Sequence, residues 1–366
     1  MKVIDWVWAG VAHGAQTVIA PIGRRWDKIA MARLTLVHLS AAAIASAVLA
    51  PPAQAQVLAP PPTPAPSGTG ATTVPALRVQ SLTPRVYFVE GELGPISQAN
   101  RGFNSNAGFV VTGDGVVVFD VLGTPALGQA LFQAIRKVTP LPIRHVVISH
   151  YHADHFYGLQ AFADSGAQIW AGAAVREYLA SDAPAARLAE RRESLAPWVD
   201  QHSRVVPPTR LIDAETAFES GGLRFRLLPV GPAHTPEDLM MMVESEGVLF
   251  AGDLVFAGRV PFVGDADSRA WLAAIERLDA LAPRMMVTGH GPMSRDARAD
   301  LSMTRDYLRY VRQSMAAAVQ EMMSFDEAYA RTDWSRFSGL PAFEAANRRN
   351  AYNTFLLMEQ EALRAR

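Results

Sequence analysis

The stretch ISHYHADHFYG, residues 148–158, contains three histidines and an aspartate within six consecutive positions: His150, His152, Asp154 and His155. It continues the apolar run IRHVVIS, which predicts a β-strand that ends where the cluster begins. Alternate residues of an extended segment point to the same side, so His150 and His152 face together, whereas Asp154 and His155 follow a turn of the chain. Such a cluster at the end of a strand predicts a metal site, and one motif of this kind can serve two adjacent ions.

Three further residues are candidates for the same site. Two metal ions that share a bridging group require about six or seven protein ligands, so the motif needs partners from elsewhere in the chain. The candidates each follow an apolar run and are flanked by glycine or proline: His234 in GPAHTPED, Asp253 in FAGDLVF and His290 in VTGHGP. A lone histidine of this kind more often lies on the surface or in the core, but the context that all three share favours a common site. His145 is expected in the core and His202 in a polar loop.

The amino-acid composition limits the kinds of site and partner that the chain can have. The chain has no cysteine, which excludes thiolate metal sites, disulfide bonds and a cysteine nucleophile. Its 34 basic and 35 acidic side chains give a formal net charge of -1, so no overall field attracts nucleic acid. We therefore expect a metal site made of histidines and carboxylates, a small-molecule substrate and no nucleic-acid partner.

Short runs of β-branched and aromatic residues alternate with amphipathic segments through the second part of the chain. Strands are predicted at residues 85–91, 107–113, 115–121, 143–150, 167–172, 223–231, 238–245, 247–256 and 284–291. Helices are predicted at residues 124–139, 158–166, 173–195 with an interruption at Pro184, 268–281, and within the last 65 residues or so. This alternation predicts layers of sheet covered by helices.

The beginning of the chain predicts export. Residues 31–55 have the charged, apolar and small-residue order of a signal peptide, with Arg33 before the apolar run and cleavage expected after Ala55. The apolar run, about 17 residues long, is short for a membrane span, so no stable span is expected after cleavage. The predicted location of the mature protein is therefore the periplasm or the exterior of the cell.

The segments on either side of the signal peptide are treated separately. Residues 1–30 are an unusual leader: either translation begins at Met31, or the segment belongs to a long twin-arginine leader. Residues 56–77 are rich in proline and predict a linker. Residues 78–366 then form the predicted catalytic domain.

The ordered set of HxHxDH, a histidine, an aspartate and GHG resembles the metallo-beta-lactamase fold hydrolases, which include glyoxalase II and the lactonases, over about residues 80–295. The resemblance implies an α+β fold, a four-layer αββα sandwich, with two zinc ions at one edge; iron or manganese are alternatives. The ligands that it implies by position are His150, His152 and His234 for the first ion, Asp154, His155 and His290 for the second, and Asp253 as the bridge. Asp120 is implied to support the ligands from behind.

The resemblance also implies an activity. It implies an exported dinuclear zinc hydrolase, in which a hydroxide held by the metals attacks an ester, thioester, lactone or lactam carbonyl and Asp154 orients it and relays its proton. Two alternatives stay open: an iron-dependent persulfide dioxygenase, and a non-catalytic zinc-binding accessory protein of a periplasmic redox system. The oligomeric state is left open.

The substrate is less well defined by sequence. Asp253 and Phe256 stand where many lactamases of the family have a cysteine and a lysine, and lactonases tend to have a tyrosine at Phe256. The stretches HYHADHFYGLQAF and GRVPFVGDADSRAW resemble exported zinc hydrolases associated with quinoprotein and sulfur-oxidation systems. Candidate substrate contacts are Tyr151, Tyr157, Arg259 and Asp265.

Overall fold

The structure is a computed structural model in which Val74, residues 76–264 and residues 266–364 are described. The predicted leader and signal peptide lie outside these residues, as does most of the predicted linker, so those assignments stay predictions. Within the described residues, no helix is both long enough and apolar enough to cross a bilayer.

Two β-sheets form the centre of the fold. The first contains seven strands in sequence order: β1 (Val79–Ser81), β2 (Val86–Val89), β3 (Ala107–Val111), β4 (Val116–Phe119), β5 (Ile143–Val147), β6 (Gln168–Gly172) and β7 (Arg210–Ile212). The second contains five, in the order β12 (Met285–His290), β11 (Val248–Phe256), β10 (Leu239–Val243), β9 (Leu223–Pro229) and β8 (Thr216–Ser220). Strands β4 to β7 are parallel, as are β11 and β12; the other pairs are antiparallel.

Eight α-helices accompany the sheets within the described residues. They are α1 (Pro125–Val138), α2 (Ala153–Phe156), α3 (Val175–Ala180), α4 (Ala183–Ser194), α5 (Ser268–Leu281), α6 (Ala297–Gln320), α7 (Phe325–Arg331) and α8 (Phe343–Arg364). The segment predicted as a helix at 158–166 forms two short 3-10 turns instead. The long helix predicted at 173–195 breaks at Ser181 and Asp182 rather than at Pro184, because Pro184 lies in the first turn of α4, where its missing N–H is not needed.

Three apolar clusters define four layers. Between the sheets, Phe119 of β4 stacks on Phe250 of β11 with ring centroids 5.3 Å apart. Helix α1 packs its apolar face, which includes Leu131, on the outer face of the first sheet. Helices α5 and α6 cover the second sheet through residues such as Trp271, and α8 packs on α6 through the same apolar cluster, which includes Met358. The predicted αββα sandwich is confirmed.

The segment that carries the histidine motif is held against the chain after β4. Val121 N–H donates to the His155 carbonyl at 2.9 Å, and Gly158 N–H donates to the Leu122 carbonyl at 3.0 Å. A Cβ on Gly158 would lie 1.8 Å from the Val121 carbonyl oxygen and 2.9 Å from Gly128 Cα, so no larger residue fits there. This close approach fixes the position of α2 relative to the end of the first sheet.

Candidate metal centre

Seven side chains that the sequence singles out converge at the ends of strands from both sheets. They form two groups, in each of which the potential ligand atoms lie within 4.8 Å of one another. The first group is His150, His152, His234 and Asp253, and the second is Asp154, His155 and His290. For the six residues other than Asp253, these groups match the division implied by position; metal binding itself stays a prediction. His150 follows β5, Asp253 lies in β11 and His290 ends β12.

Asp253 lies between the two groups, and each of its carboxylate oxygens faces one of them. Oδ2 lies 3.3 Å from His234 Nε2 and 3.8 Å from His150 Nε2. Oδ1 lies 3.1 Å from His155 Nε2 and 3.3 Å from His290 Nε2. A carboxylate with one oxygen toward each of two adjacent ligand sets has the arrangement that a bridging ligand requires.

The surroundings of the first group favour the neutral form of its three histidines. Burial lowers the pKa of His150 and of His152 well below the ordinary value and lowers the pKa of His234 to about 4. His152 Nδ1 lies 3.0 Å from His234 Nε2, so both nitrogens point into the same small space. Because a metal ion binds the neutral form of imidazole, these histidines are ready to bind a cation at neutral pH.

The second group is dominated by negative charge. Burial acts to raise the pKa of Asp154, but His155 and His290 lower it to about 2. Burial likewise acts to lower the pKa of His155, but the carboxylates of Asp253, Asp154 and Asp120 raise it well above the ordinary value. Positive charge is therefore stabilised here, and a metal cation would be stabilised by the same carboxylates.

The residues present fit a pair of metal ions. His150 Nε2, His155 Nε2 and Asp253 Oδ1 are buried and have no hydrogen-bond partner of good geometry among the described residues. Buried polar atoms are rarely left without a partner, because the loss of their hydration is costly. All three atoms point toward the space between the ligands, as metal ligands would.

Behind the ligands, Asp120 orients one histidine of each group. Its Oδ2 accepts hydrogen bonds from His155 Nδ1 at 2.9 Å and from Ser149 Oγ at 2.8 Å. Since Ser149 Oγ donates to Asp120, it accepts from His150 Nδ1 at 2.9 Å and leaves His150 Nε2 for the metal. The supporting role expected of Asp120 is thus matched by its contacts, whereas Ser149 was not identified from the sequence.

A second support comes from the loop before β3, which sequence reasoning also missed. His290 Nδ1 donates to the Asn104 carbonyl at 2.6 Å, and Asn104 Nδ2 donates to Asp154 Oδ2 at 3.1 Å. Asn106 Nδ2 donates to the carbonyls of Thr288 and Gly291, on either side of the same histidine. The recurrence of asparagine in FNSNAG was the one sequence signal available for this contact.

The two tyrosines predicted as substrate contacts pack in the core. The Tyr151 hydroxyl donates to the Val206 carbonyl at 3.2 Å, and its ring stacks on Phe156 with centroids 4.4 Å apart. Tyr157 is 2 % exposed and packs its ring edge against Phe156 at 4.7 Å. The structure therefore places both side chains where packing, rather than substrate contact, accounts for them.

Arg259 lies behind His290 rather than in front of it. Its Nη1 donates to the Gly94 carbonyl at 3.1 Å and lies 3.3 Å from His290 Nδ1, on the side opposite to the ligand atom Nε2. Burial lowers the pKa of Arg259, and the carboxylates of Asp253 and Asp154 act in the opposite direction. The last predicted contact, Asp265, lies outside the described residues.

Aromatic side chains form the walls of the centre. Phe256 stacks on His290 with centroids 5.1 Å apart, and Trp271 packs against His234 at 5.1 Å. Phe262 lies in the loop after β11, residues 257–264, which we call the β11 loop; its ring is 6.0 Å from that of His152. His152 is only half-buried, as is Phe262, so solvent reaches the centre on this side.

A comparison with protein-family models agrees with this geometry. The profile described as "Metallo-beta-lactamase superfamily" matches residues 100–290, a little over half of the chain. The chain belongs to the metallo-beta-lactamase superfamily. The match contains all seven candidate ligands and the residues that support them, and it ends at His290, before α6, α7 and α8.

Individual superfamily members are only distantly similar. The metallo-beta-lactamase IND-1 of Chryseobacterium indologenes is 25% identical over 195 residues, which cover 52% of this chain and 73% of the relative. The linear primary-alkylsulfatase of a Pseudomonas strain is 23% identical, and the match covers 58% of this chain but only 47% of the relative. The solved sec-alkylsulfatase Pisa1 from Pseudomonas sp. superposes with a TM-score of 0.59 at 18% identity, covering 76% of this chain and 50% of its own. The likeness to the solved structure concerns the fold alone.

Proposed function

We propose that this member of the metallo-beta-lactamase superfamily is an exported hydrolase that holds two zinc ions and cleaves an ester, thioester, lactone or lactam carbonyl in a small molecule. The observation that carries the proposal is the position of Asp253, whose two oxygens face two sets of candidate ligand atoms. A purely structural zinc site is typically closed by four ligands, whereas seven candidate ligands around one open side favour catalysis.

The candidate ligands would be divided between the two ions. His150, His152 and His234 would hold one ion, and Asp154, His155 and His290 the other. When bound, the ions would lower the pKa of a shared water toward about 7 and polarise the scissile carbonyl.

Asp154 has the position expected of the residue that orients the attacking water. Its side chain is 16% exposed, the most exposed of the candidate carboxylates, and Asn104 fixes it by donating to Oδ2. Because its pKa is lowered to about 2, it is anionic at neutral pH and would accept a hydrogen bond from the attacking water. No serine or cysteine nucleophile is required.

The test combines metal analysis with a substrate panel. Zinc-loaded protein is assayed with a chromogenic cephalosporin, lactones, glutathione thioesters and, because one relative is named an alkylsulfatase, a primary alkyl sulfate. We expect turnover of a carbonyl substrate, its loss on chelation, and its loss in His152→Ala but not in the exposed-loop control His202→Ala.

Other outcomes would contradict the proposal. Stoichiometric iron with oxygen uptake would favour the persulfide dioxygenase alternative, and undiminished activity in metal-free protein would exclude a metal-dependent reaction. If only the alkyl sulfate is turned over, the protein is still a hydrolase, but the bond that it cleaves belongs to a sulfate ester and not to a carbonyl compound. Export is tested separately by sequencing the N-terminus of the mature protein from the natural host.

A further inference from the structure

Helix α8, which lies after the region matched by the superfamily profile, holds the β11 loop beside the metal centre. Asn350 Oδ1 accepts from Val263 N–H at 2.9 Å, and Asn350 Nδ2 donates to the Pro261 carbonyl at 2.7 Å. One turn further along, Asn353 Nδ2 donates to the Gly264 carbonyl at 2.7 Å. These bonds fix the loop on both sides of the residue between Pro261 and Val263.

That residue is Phe262, which lies at the open side of the centre. Its ring centroid is 6.0 Å from that of His152 and 6.4 Å from that of His234, the two histidines whose nitrogens lie 3.0 Å apart. Phe262 is partly exposed, so it presents an apolar surface to a molecule that approaches the first ligand group. A substrate bound there would place its apolar part against this ring.

Arg349 of α8 packs its guanidinium against the Phe262 ring. Its Cζ lies 5.6 Å from the ring centroid, which places the guanidinium within about 12 Å of the His152 ring because the two rings are 6.0 Å apart. The side chain is exposed and lines a surface groove of about 540 Å³ together with Tyr352 and its neighbours on α7 and α8. The cation is therefore accessible to a molecule from solvent.

Arg349 has no anionic partner among the described residues. No hydrogen bond or ion pair joins it to a described residue, and positions three and four residues away on α8 carry no acid. Its neighbour Arg348 differs, because Arg348 Nη2 lies 2.6 Å from Asp326 Oδ1. A cation that is held over an aromatic ring and has no anionic partner among the described residues is suited to bind an anion supplied by another molecule.

We propose that Arg349 and Phe262 form the substrate-recognition element of this enzyme and select substrates in which a short apolar spacer separates the scissile bond from a carboxylate or similar anion. The proposal rests on the proposed hydrolase function and deepens it by naming the substrate class. The apolar spacer would pack on Phe262 while the anion pairs with the guanidinium of Arg349, and the scissile bond would lie beside His152. Helix α8 thereby contributes to specificity although it contributes no candidate metal ligand.

The kinetic test uses two matched esters and zinc-loaded protein. The anionic 4-nitrophenyl hemiglutarate is compared with the neutral 4-nitrophenyl butyrate. Arg349→Gln is expected to lower kcat/KM for the anionic ester about tenfold, mainly through KM, and to change the neutral ester little, since an exposed charge-assisted hydrogen bond contributes modestly. Arg349→Lys should restore part of the loss. The control Arg348→Gln removes the same charge one residue away and should leave the ratio of the two esters unchanged.

A binding measurement separates this proposal from the hydrolase proposal. Titration calorimetry compares 4-phenylbutyrate with the uncharged 4-phenylbutyramide, in zinc-loaded and in metal-free protein, for the wild type and Arg349→Gln. A preference for the anion that disappears in Arg349→Gln supports the recognition element even if no ester is hydrolysed. A preference that is absent from the wild type, or that survives in Arg349→Gln, overturns it even if the protein is an active hydrolase.

Discussion

Asp120 accepts a hydrogen bond from His155 Nδ1 at 2.9 Å and so directs the Nε2 of this buried histidine toward Asp253. The same Asp120 oxygen accepts from Ser149 Oγ, which in turn accepts from His150 Nδ1. One carboxylate therefore controls the orientation of a candidate ligand in each group. Its replacement should weaken metal binding by both groups.

Asp120→Asn should weaken metal binding about 10- to 100-fold, because the loss of a residue that orients a ligand typically has this effect. Ser149→Ala should have a smaller effect, confined to the ion held by the first group. Competition with a chromogenic chelator measures both affinities. The exposed Asp164→Asn is a charge-matched control, and equal affinities in Asp120→Asn and Asp164→Asn would contradict the assignment.

Replacement of the shared carboxylate should affect both ions at once. Asp253→Asn is expected to lower the metal content of both groups and to abolish turnover, since each oxygen of Asp253 faces a different set of histidines. His155→Ala, by contrast, should reduce only the second ion. Native mass spectrometry counts the ions that each variant retains; a fully loaded Asp253→Asn would show that the residue is no bridge.

Gly158→Ala should destabilise the fold. The new methyl group would meet the Val121 carbonyl oxygen at 1.8 Å, and backbone cannot move aside as a flexible side chain can. We expect a loss of about 1–3 kcal/mol or more in the free energy of unfolding, as overpacking generally causes. Urea unfolding measures it. Gly94→Ala is the control, because no atom lies within 4 Å of its added Cβ and it should be nearly neutral.

The stability of the metal-free protein should depend on pH through His145. Burial between Trp170 and Phe218 lowers the pKa of His145 below its ordinary value of 6.5. Above 6.5 the histidine is neutral in both the folded and the unfolded chain. As the pH falls below 6.5, the unfolded chain takes up a proton that the folded chain resists, so the free energy of unfolding falls.

His145→Phe keeps an aromatic ring and removes this proton. The free energy of unfolding of the variant should therefore decline less steeply than that of the wild type as the pH falls below 6.5. Urea titrations of chelated protein at a series of pH values measure the two slopes, and the histidines of the metal centre contribute equally to both proteins. Parallel slopes would refute the role of His145.

The positions of the seven candidate ligands were predictable because each follows an apolar run of sequence, a local pattern that needs no knowledge of the fold. The expectation that Asp253 follows its strand was wrong, because it lies inside β11. Ser149 and Asn104 were not predictable in this way. Asn104 and His290 are 186 positions apart, and the contact uses a backbone carbonyl, which any residue carries. Contacts of this kind depend on how the two sheets are brought together.

The strands likewise differ in whether their own sequence was enough to predict them. Strands with continuous apolar runs, such as β11, were predicted near their observed bounds. The strands β1, β7 and β8 were missed: two have only three residues, and β8, with the sequence TAFES, alternates partly buried and exposed positions and has one large apolar residue. Their pairing is decided by neighbouring strands rather than by their own composition.

The attachment of the β11 loop to α8 has a consequence for how such a protein can diversify. The candidate metal ligands and the residues that support them all precede residue 291, whereas Asn350, which fixes the loop, and Arg349, which packs on Phe262, belong to a later helix. Changes in α8 can alter the wall that a substrate meets while the metal-binding residues stay the same. In the proposed recognition element, Phe262 belongs to the β11 loop and Arg349 to α8, so a substitution at Arg349 alone would change selectivity and leave the candidate metal ligands unchanged.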